Sequence, residues 1–167
     1  MAERIAVCPG TYDPVTFGHI DVIRRTRELF DRVVVGVVRQ PRHKETTLFT
    51  VEQRIAFIAE SVSELGNVEV EAFSTLVVDF AREHGARSIV KGLRAVSDFE
   101  WEFQMNNLNR GLANDIDTLY LMASPQYSFL SSRGVREISS FGGPVEEYVP
   151  EIVARALERR YAERGAE

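Results

Sequence analysis

Residues 33–38 read Val-Val-Val-Gly-Val-Val, so six consecutive positions carry no polar side chain and five of them are valine. Valine is β-branched and favours strands, and a strand that is apolar on both faces is usually covered by helices on both sides. An antiparallel strand with one wet face would alternate apolar and polar residues instead. The segment therefore predicts a buried strand in a parallel sheet.

Other short apolar runs and helical patterns complete the predicted topology. Further strands are predicted at 5–8, 68–73, 88–90 and 118–122. The residues Thr50 and Gln53 form a capping box ahead of a helical apolar pattern, and Ser97 and Glu100 repeat the box later in the chain. Residues 151–161 have the apolar spacing of an amphipathic helix that closes the chain.

Strands that alternate with helices in units of about 30 residues predict an α/β fold with a doubly wound parallel sheet. A chain of 167 residues that is 44% apolar is long enough for one core and short for two, so we expect a single domain over residues 1–167. Ligands of such sheets bind beyond the carboxyl ends of the strands, where the strand order reverses. Residues that carry chemistry should therefore directly follow strands.

Composition argues against several classes of function. The 25 acidic residues outnumber the 20 basic ones, which disfavours a nucleic-acid partner. Cys8 is the only cysteine, so we expect no disulfide, no thiolate metal cluster and a core role for this side chain. Packing, rather than a stacking platform for a ligand, is expected of Trp101 and Phe103. The sequence shows neither a membrane span nor a signal peptide, which predicts a cytoplasmic protein with no membrane partner. His19, His43 and His84 show no metal-ligand spacing, so we also expect no metal site within the protein itself.

The turn after the first predicted strand carries the most specific chemical pattern, P-G-T-Y-D-P-V-T-F-G-H over residues 9–19. A helix follows, so Gly18 and His19 lie at its N-terminus, where free N–H groups and the dipole attract phosphate. His19 can donate to an oxygen whose charge grows during a reaction, although a histidine that merely caps the helix would give the same Gly-His pair. The patterns G-x-G-x-x-G and G-x-x-x-x-G-K-[ST] are absent, which argues against dehydrogenases and P-loop kinases.

A second block follows the strand predicted at 88–90. Lys91 and Arg94 flank Gly92, an arrangement that suits phosphate groups, although two cations on a solvated loop would produce the same pattern. Glu102 lies on the helix after this block, where a glutamate is usually only solvated.

A third block, Y-S-F-L-S-S at residues 127–132, precedes another predicted helix. Hydroxyl groups and free N–H groups at the start of a helix can bind an anion. Simple capping by Ser131 or Ser132 is the alternative, and both can hold at once.

These blocks together resemble a known family. The motif Thr16-x-Gly18-His19 resembles the T/H-x-G-H motif of the nucleotidyltransferase superfamily, and the P-G-T-Y-D-P before it is similar to that of the phosphopantetheine adenylyltransferases. The run K-G-L-R-A-V-S-D-F-E-W-E at 91–102 and the run at 127–132 resemble two further blocks of that family, in the same order over nearly the whole chain. The resemblance implies a Rossmann-like nucleotidyltransferase fold. It also implies transfer of AMP from ATP to 4'-phosphopantetheine, which gives dephospho-CoA and pyrophosphate.

The resemblance also implies roles for particular residues. Catalysis would depend on His19. ATP would be bound by residues from all three blocks, namely Thr11, Tyr12, His19, Gly92, Leu93, Arg94, Glu102, Tyr127, Ser128, Phe129, Leu130, Ser131, Ser132 and Arg133. The acceptor would be bound by Thr11, Lys44, Leu76, Val77 and Lys91, with Arg42 and His43 as alternatives to Lys44.

Cofactor, partners and assembly are expectations from the same source. We expect Mg²⁺ to enter with ATP and to be held more by the nucleotide than by a protein cage. Coenzyme A as a feedback inhibitor and a homohexamer are further implications of the resemblance. Two alternatives stay open, a nucleotidyltransferase with another phosphate acceptor and a nucleotide-binding module without catalysis. The K-G-L-R-A-V run argues against the first, since sugar and choline cytidylyltransferases carry an R-T-x-G-I-S-T stretch that is absent here, and His19 argues against the second.

The chain departs from the family pattern just after Ser132. Relatives usually continue with a third serine, a bulky residue, valine and lysine, whereas this chain has Arg133-Gly134-Val135-Arg136. Gly134 should loosen the first helical turn. Arg133 should bring a fixed positive charge to the outer phosphates of ATP, unless it points into solvent.

Overall fold

The structure is a computed structural model that describes residues 3–40 and 47–164. Its elements follow in the order β1 (Ile5–Gly10), α1 (Phe17–Leu29), β2 (Arg32–Val38), α2 (Val51–Ser61), β3 (Val68–Phe73), α3 (Val77–Glu83), β4 (Ser88–Leu93), α4 (Val96–Leu112), β5 (Asp117–Met122), α5 (Ser132–Ser140) and α6 (Glu151–Arg164). Single 3-10 turns occur at Ser63–Leu65 and Pro125–Tyr127. Every predicted strand is present, and β1, β2, β4 and β5 are longer than predicted.

The five strands form a parallel sheet in the order β3-β2-β1-β4-β5. The chain moves outward from β1 through β2 to β3 and then returns to place β4 on the other side of β1. The order therefore reverses between β1 and β4, and the carboxyl ends of these two strands border the crevice where ligands bind in such sheets. The predicted α/β, doubly wound fold is confirmed.

Both faces of the sheet are covered, as the valine run predicts. Side chains alternate along a strand, so Ala6 and Cys8 pack into one layer and Val7 into the other. The first layer contains residues of α1, α2, α5 and α6, and the second contains residues of α3. At Gly36 a Cβ atom would lie 2.6 Å from the ring of Phe80, so the glycine inside the valine run makes room for this helix.

The helix starts are partly as predicted. Thr50 and Gln53 make both hydrogen bonds of the capping box at α2. The second predicted box is wrong, because α4 begins at Val96 with Ala95 as its N-cap residue, and no side chain caps it. Ser97 therefore lies inside the first turn of this helix.

The apolar side chains of α4 are largely exposed, and Trp101 and Phe103 are not core residues. Their side chains are 54% and 53% exposed. We call the exposed apolar residues of α4 and of the neighbouring strand β5 the α4/β5 apolar surface, which consists of Val96, Phe99, Trp101, Phe103, Leu108, Leu112, Leu119 and Met122. Among the described residues, no helix is long and apolar enough to cross a membrane.

Candidate active site

A cavity of about 590 Å³ opens beyond the carboxyl ends of β1 and β4. Residues from all three sequence blocks line it, and the predicted site residues among them are Tyr12, His19, Lys91, Gly92, Arg94, Glu102, Tyr127, Leu130, Ser131, Ser132 and Arg133. The blocks are separated by about 80 and 30 residues of sequence and meet only because β4 returns to lie beside β1. The topology thus brings the predicted nucleotide-binding groups to one place.

The imidazole of His19 is oriented by the first turn of its own helix. Thr16 is the N-cap residue of α1, and its backbone N–H donates to Nδ1 of His19 at 3.0 Å. A backbone N–H can only donate, so Nδ1 must be the unprotonated nitrogen, and the neutral ring carries its proton on Nε2. The capping and functional interpretations of His19 are therefore compatible. The cap fixes the tautomer, which makes Nε2 the ring nitrogen that can donate to a phosphate oxygen.

Tyr12 forms part of the wall behind His19. Its backbone has a φ of 51°, its side chain is buried, and its hydroxyl donates to the carbonyl oxygen of Cys8 at 2.9 Å. The two aromatic rings meet edge to face with their centroids 5.1 Å apart. Burial raises the pKa of Tyr12 well above its ordinary value. Tyr12 is therefore placed to support the imidazole, with its hydroxyl already engaged.

The end of β4 contributes an ion pair to the cavity. The Nζ atom of Lys91 lies 2.7 Å from Oε2 of Glu102, and both side chains are about one-fifth exposed. Next to it, a Cβ atom at Gly92 would lie 2.8 Å from a methyl carbon of Val22 in α1. Glycine at this position therefore lets β4 approach the helix that carries His19.

Arg94 binds two partners at the mouth of the cavity. Its Nε and Nη2 atoms donate to the carboxylate of Asp98 at 2.9 and 3.1 Å, and its Nη1 donates to the carbonyl oxygen of Leu130 at 2.6 Å. Burial alone would raise the pKa of Asp98, but the hydrogen bonds and charge of Arg94 outweigh it and leave this pKa below its ordinary value. Arg94 thus joins the start of α4 to the loop that precedes α5.

The hydroxyl groups at the start of α5 already have partners within the protein. Ser131 caps the helix, as one alternative predicted, and accepts the N–H of Gly134 at 3.0 Å. Ser132 donates to the carbonyl oxygen of Pro14 at 2.8 Å. A Cβ atom at position 134 would lie 3.2 Å from Oγ of Ser131, so the glycine also relieves crowding at the cap. Arg133 is exposed, lines the cavity and makes no hydrogen bond or ion pair with any residue the structure describes.

Other predicted site residues lie outside the cavity lining. Leu76 and Val77 lie at the N-terminus of α3, beyond the end of β3, and Leu76 is 55% exposed. Phe129 is 69% exposed and packs edge to face against Tyr148, while Ser128 donates to the carbonyl oxygen of Pro125. These assignments stay predictions.

The remaining assignments concern the chain beyond β1, the end of β4 and the loop after β2. Thr11 presents its backbone carbonyl to a buried arginine, and Leu93 is buried at the end of β4. Neither lines the cavity. Lys44 and its alternatives Arg42 and His43 lie outside the described residues.

Two buried charged residues near the site were missed by the sequence analysis. Asp13 is 1% exposed and accepts the N–H groups of Leu48 and Phe49 and a bond from Arg136 at 2.6 Å. Arg54 is also 1% exposed and reaches the carboxyl ends of β1 and β2 from α2. A signal for Arg54 exists, because helical spacing puts it on the same face as buried positions three residues before and four residues after it.

Comparisons with known proteins identify the family of this chain. The Cytidylyltransferase-like family matches residues 7–138. The phosphopantetheine adenylyltransferase of Gloeobacter violaceus is 52% identical over 158 residues, which cover 95% of this chain and 97% of the relative. That of Alkalilimnicola ehrlichii is 48% identical over 158 residues, or 95% of this chain and 91% of the relative. The chain belongs to the phosphopantetheine adenylyltransferase family. The family resemblance of the sequence blocks is thereby confirmed.

The fold has a solved counterpart as well. The nicotinic acid mononucleotide adenylyltransferase of Plasmodium falciparum, complexed with NaAD, superimposes with a TM-score of 0.71 over 95% of this chain and 96% of that chain. The two sequences are only 11% identical, so this likeness concerns the fold alone. It confirms the Rossmann-like nucleotidyltransferase fold.

Proposed function

We propose that this enzyme transfers AMP from ATP to 4'-phosphopantetheine, which yields dephospho-CoA and pyrophosphate in the synthesis of coenzyme A. The observation that carries the proposal is the convergence of the three family blocks on one cavity at the β1/β4 crossover. The relatives that share 46–52% of their residues with this chain over nearly its whole length bear the corresponding name.

The residues of the cavity suit a direct transfer. A phosphate oxygen of the acceptor would attack the α-phosphorus of ATP in line, the new P–O bond would form as the bond to the β-phosphate breaks, and pyrophosphate would leave. Nε2 of His19 and the N–H groups at the start of α1 would donate to the α-phosphate as its charge grows. Arg94, Arg133 and the start of α5 would hold the outer phosphates. Catalysis would then consist of positioning and charge stabilisation.

Mg²⁺ is expected to act on this site as a partner of ATP, where it neutralises phosphate charge. The carboxylates that line the cavity are those of Asp98 and Glu102, and each is held in an ion pair, with Arg94 and with Lys91. This arrangement suits a metal that is carried mainly by phosphate oxygens and water, as is usual for Mg²⁺ at phosphate sites.

The assembly and regulation implied by the family remain part of the proposal. The homohexamer rests on the family resemblance, and the α4/β5 apolar surface supports self-association, since exposed large apolar residues beside an edge strand are typical of an interaction surface. We also propose a cytoplasmic location and feedback inhibition by coenzyme A, which contains the product and would fit the same acceptor site.

Turnover of α-labelled ATP with a panel of acceptors tests the proposal. The panel would contain 4'-phosphopantetheine, pantetheine, nicotinic acid mononucleotide and choline phosphate, with CTP as an alternative donor. We expect labelled dephospho-CoA and unlabelled pyrophosphate from ATP and 4'-phosphopantetheine alone. Faster turnover of another pair would reject the proposed acceptor or donor, and binding without turnover of any pair would indicate a non-catalytic module.

A further inference from the structure

Arg54 is a buried arginine that does not line the cavity. It lies on the face of α2 that packs against the sheet, where the neighbouring buried side chains Val51 and Ile58 are apolar. Arginine is rarely buried to this extent unless a carboxylate is bound to it, because the removal of a charge from water is unfavourable. The position of Arg54 therefore calls for a physical explanation.

The guanidinium of Arg54 bonds to backbone carbonyl groups from two neighbouring strand ends. Nη1 donates to the carbonyl oxygens of Thr11 at 2.7 Å and Val38 at 2.9 Å, and Nη2 donates to that of Arg39 at 3.1 Å. The Nε–H group is buried and has no hydrogen-bond partner in the described part of the chain. One side chain thus joins the turn after β1 to the start of the loop after β2.

The charge of Arg54 is not matched by a carboxylate of its own. Asp13 is near, but Arg136 binds its carboxylate at 2.6 Å, and the exposed carboxylate of Glu52 faces Arg39 at 3.8 Å. Over residues 3–40 and 47–164, Arg54 forms no ion pair. Carbonyl dipoles offset part of the cost of burying Arg54. The described charged groups around it, three arginines against Asp13 and Glu52, still leave one net positive charge beneath the ends of β1 and β2. An anion bound above these strand ends would complete the compensation.

We propose that Arg54 is a positioning residue for the anionic phosphate of the acceptor, a role that rests on the proposed function. Its charge attracts the phosphate from beneath the loops, and its hydrogen bonds hold the backbones of Thr11 and Arg39 in place. The acceptor is favoured over ATP because the bonded carbonyl groups lie on the β1–β2 side. The arginines assigned to the outer phosphates of ATP, Arg94 and Arg133, lie after β4 and in the first turn of α5 instead.

Two substitutions separate charge from hydrogen bonding. Arg54→Gln removes the charge and keeps an amide donor, whereas Arg54→Lys keeps the charge. We expect Arg54→Gln to raise the KM for 4'-phosphopantetheine roughly tenfold, the effect of a unit charge at about 10 Å in an effective dielectric of about 20. The KM for ATP and the dissociation constant of pantetheine, which lacks the phosphate, should change by less than about twofold. Arg54→Lys should restore most of the affinity for 4'-phosphopantetheine.

Arg27→Gln is the control, because Nε of Arg27 also donates to a backbone carbonyl oxygen, that of Leu65, and to Oδ1 of Asn67, but beside the amino end of β3. This variant should leave the two KM values and the dissociation constant of pantetheine unchanged. Equal weakening of 4'-phosphopantetheine and pantetheine by Arg54→Gln would show that Arg54 is only a brace, and a larger effect on ATP would show that it serves the nucleotide. Either result overturns the inference.

The test stands even if one variant or the proposed function fails. If Arg54→Gln does not fold, Arg54→Lys alone tests the inference. A tenfold loss of affinity for 4'-phosphopantetheine in this variant, which keeps the charge, would overturn the electrostatic role of Arg54. Should the wild type turn over no acceptor, calorimetric binding of 4'-phosphopantetheine and pantetheine still measures whether Arg54 recognises the phosphate. A wild-type protein that binds both equally would contradict the inference directly.

Discussion

Nζ of Lys91 lies 2.7 Å from Oε2 of Glu102, so the cation assigned to the acceptor and the carboxylate assigned to ATP form one ion pair at the end of β4. The pair is only about one-fifth exposed, and its attraction is therefore stronger than that of a surface pair. A phosphate that approaches Lys91 has to share the ammonium group with Glu102. The two predicted sub-sites are thus electrostatically linked through this contact.

The first prediction concerns the removal of that ammonium group. Lys91→Ala should raise the KM for 4'-phosphopantetheine roughly tenfold and the KM for ATP clearly less, because the lysine acts as a point charge on the acceptor phosphate. The same ordering is expected for Lys44→Ala. Steady-state kinetics with each substrate varied in turn measures both constants. Arg110→Ala, which removes an exposed cation from the far end of α4, is the control. A larger effect on ATP in both lysine variants would mean that the two sub-sites are reversed.

The second prediction concerns His19 as a donor to charge that develops in the transition state. His19→Ala should lower kcat by roughly 10² to 10³ and leave ATP binding much less affected, as is typical when one such donor is removed. Single-turnover kinetics and ATP titration separate the two effects. His84→Ala serves as a control, since His84 follows α3 and pairs with Glu71 outside the cavity. Near-normal turnover of His19→Ala would remove His19 from the catalytic machinery.

The elements of the fold were predictable because local patterns encode them. The valine run, the alternation of strands with helices and the capping box of α2 each depend on neighbouring residues. The three site blocks were equally visible in the sequence, and the return of β4 beside β1 explains why they meet. The false capping box at Ser97 shows the limit of such patterns, because α4 begins at Val96, two residues earlier than that cap requires.

Contacts between distant residues were not predictable in the same way. Asp13 looks like an ordinary turn residue in the sequence, yet its partners Leu48, Phe49 and Arg136 lie 35 to 123 residues away. Arg54 was not predicted to have any role, and three distant carbonyl groups make its burial possible. Whether the apolar side chains of α4 are exposed likewise depends on which other elements pack against this helix, and the sequence pattern does not show that.

The third prediction concerns the stability supplied by Asp13. Asp13→Ala should lower the free energy of unfolding by about 3 kcal/mol, since it leaves buried N–H groups and part of a guanidinium without an acceptor. Urea denaturation of the variant and wild type gives the difference. Asp31→Ala removes an aspartate from a largely exposed pair with Arg4 and should cost much less. An equal loss of unfolding free energy in Asp13→Ala and Asp31→Ala would show that the buried contacts of Asp13 stabilise the fold no more than a surface ion pair does.

The fourth prediction concerns the thiol of Cys8, which borders the cavity but is buried in β1. Burial raises its pKa to about 12, an effect only partly offset by a hydrogen bond with Thr26. The folded protein should therefore contain almost no thiolate at pH 8, and iodoacetamide should label Cys8 only after urea is added. Mass spectrometry of alkylated samples measures the extent. Rapid labelling of the folded chain at pH 8 would contradict this prediction.

The last prediction concerns Arg133, the clearest departure from the family pattern. Ser131 caps α5 as an acceptor and keeps its O–H for a phosphate, whereas Ser132 already donates to the carbonyl oxygen of Pro14, so only one of the two hydroxyl groups next to Arg133 can still donate to ATP. Arg133 itself lines the cavity, and no described residue binds its guanidinium by a hydrogen bond or an ion pair. An arginine in that position can bind phosphate through two parallel hydrogen bonds.

Arg133→Ser restores the serine usual in relatives and should nevertheless weaken ATP binding, by roughly three- to tenfold at low salt and less at high salt, where the charge is screened. Titration with ATP at two ionic strengths measures both effects. Arg159→Ser changes the net charge by the same amount on α6, away from the cavity, and should bind ATP normally at both. If Arg133→Ser also binds ATP like the wild type at both ionic strengths, its guanidinium points into solvent during binding. The phosphates would then depend on Arg94 and on the N–H groups at the start of α5, and the loss of the third family serine would have no electrostatic replacement.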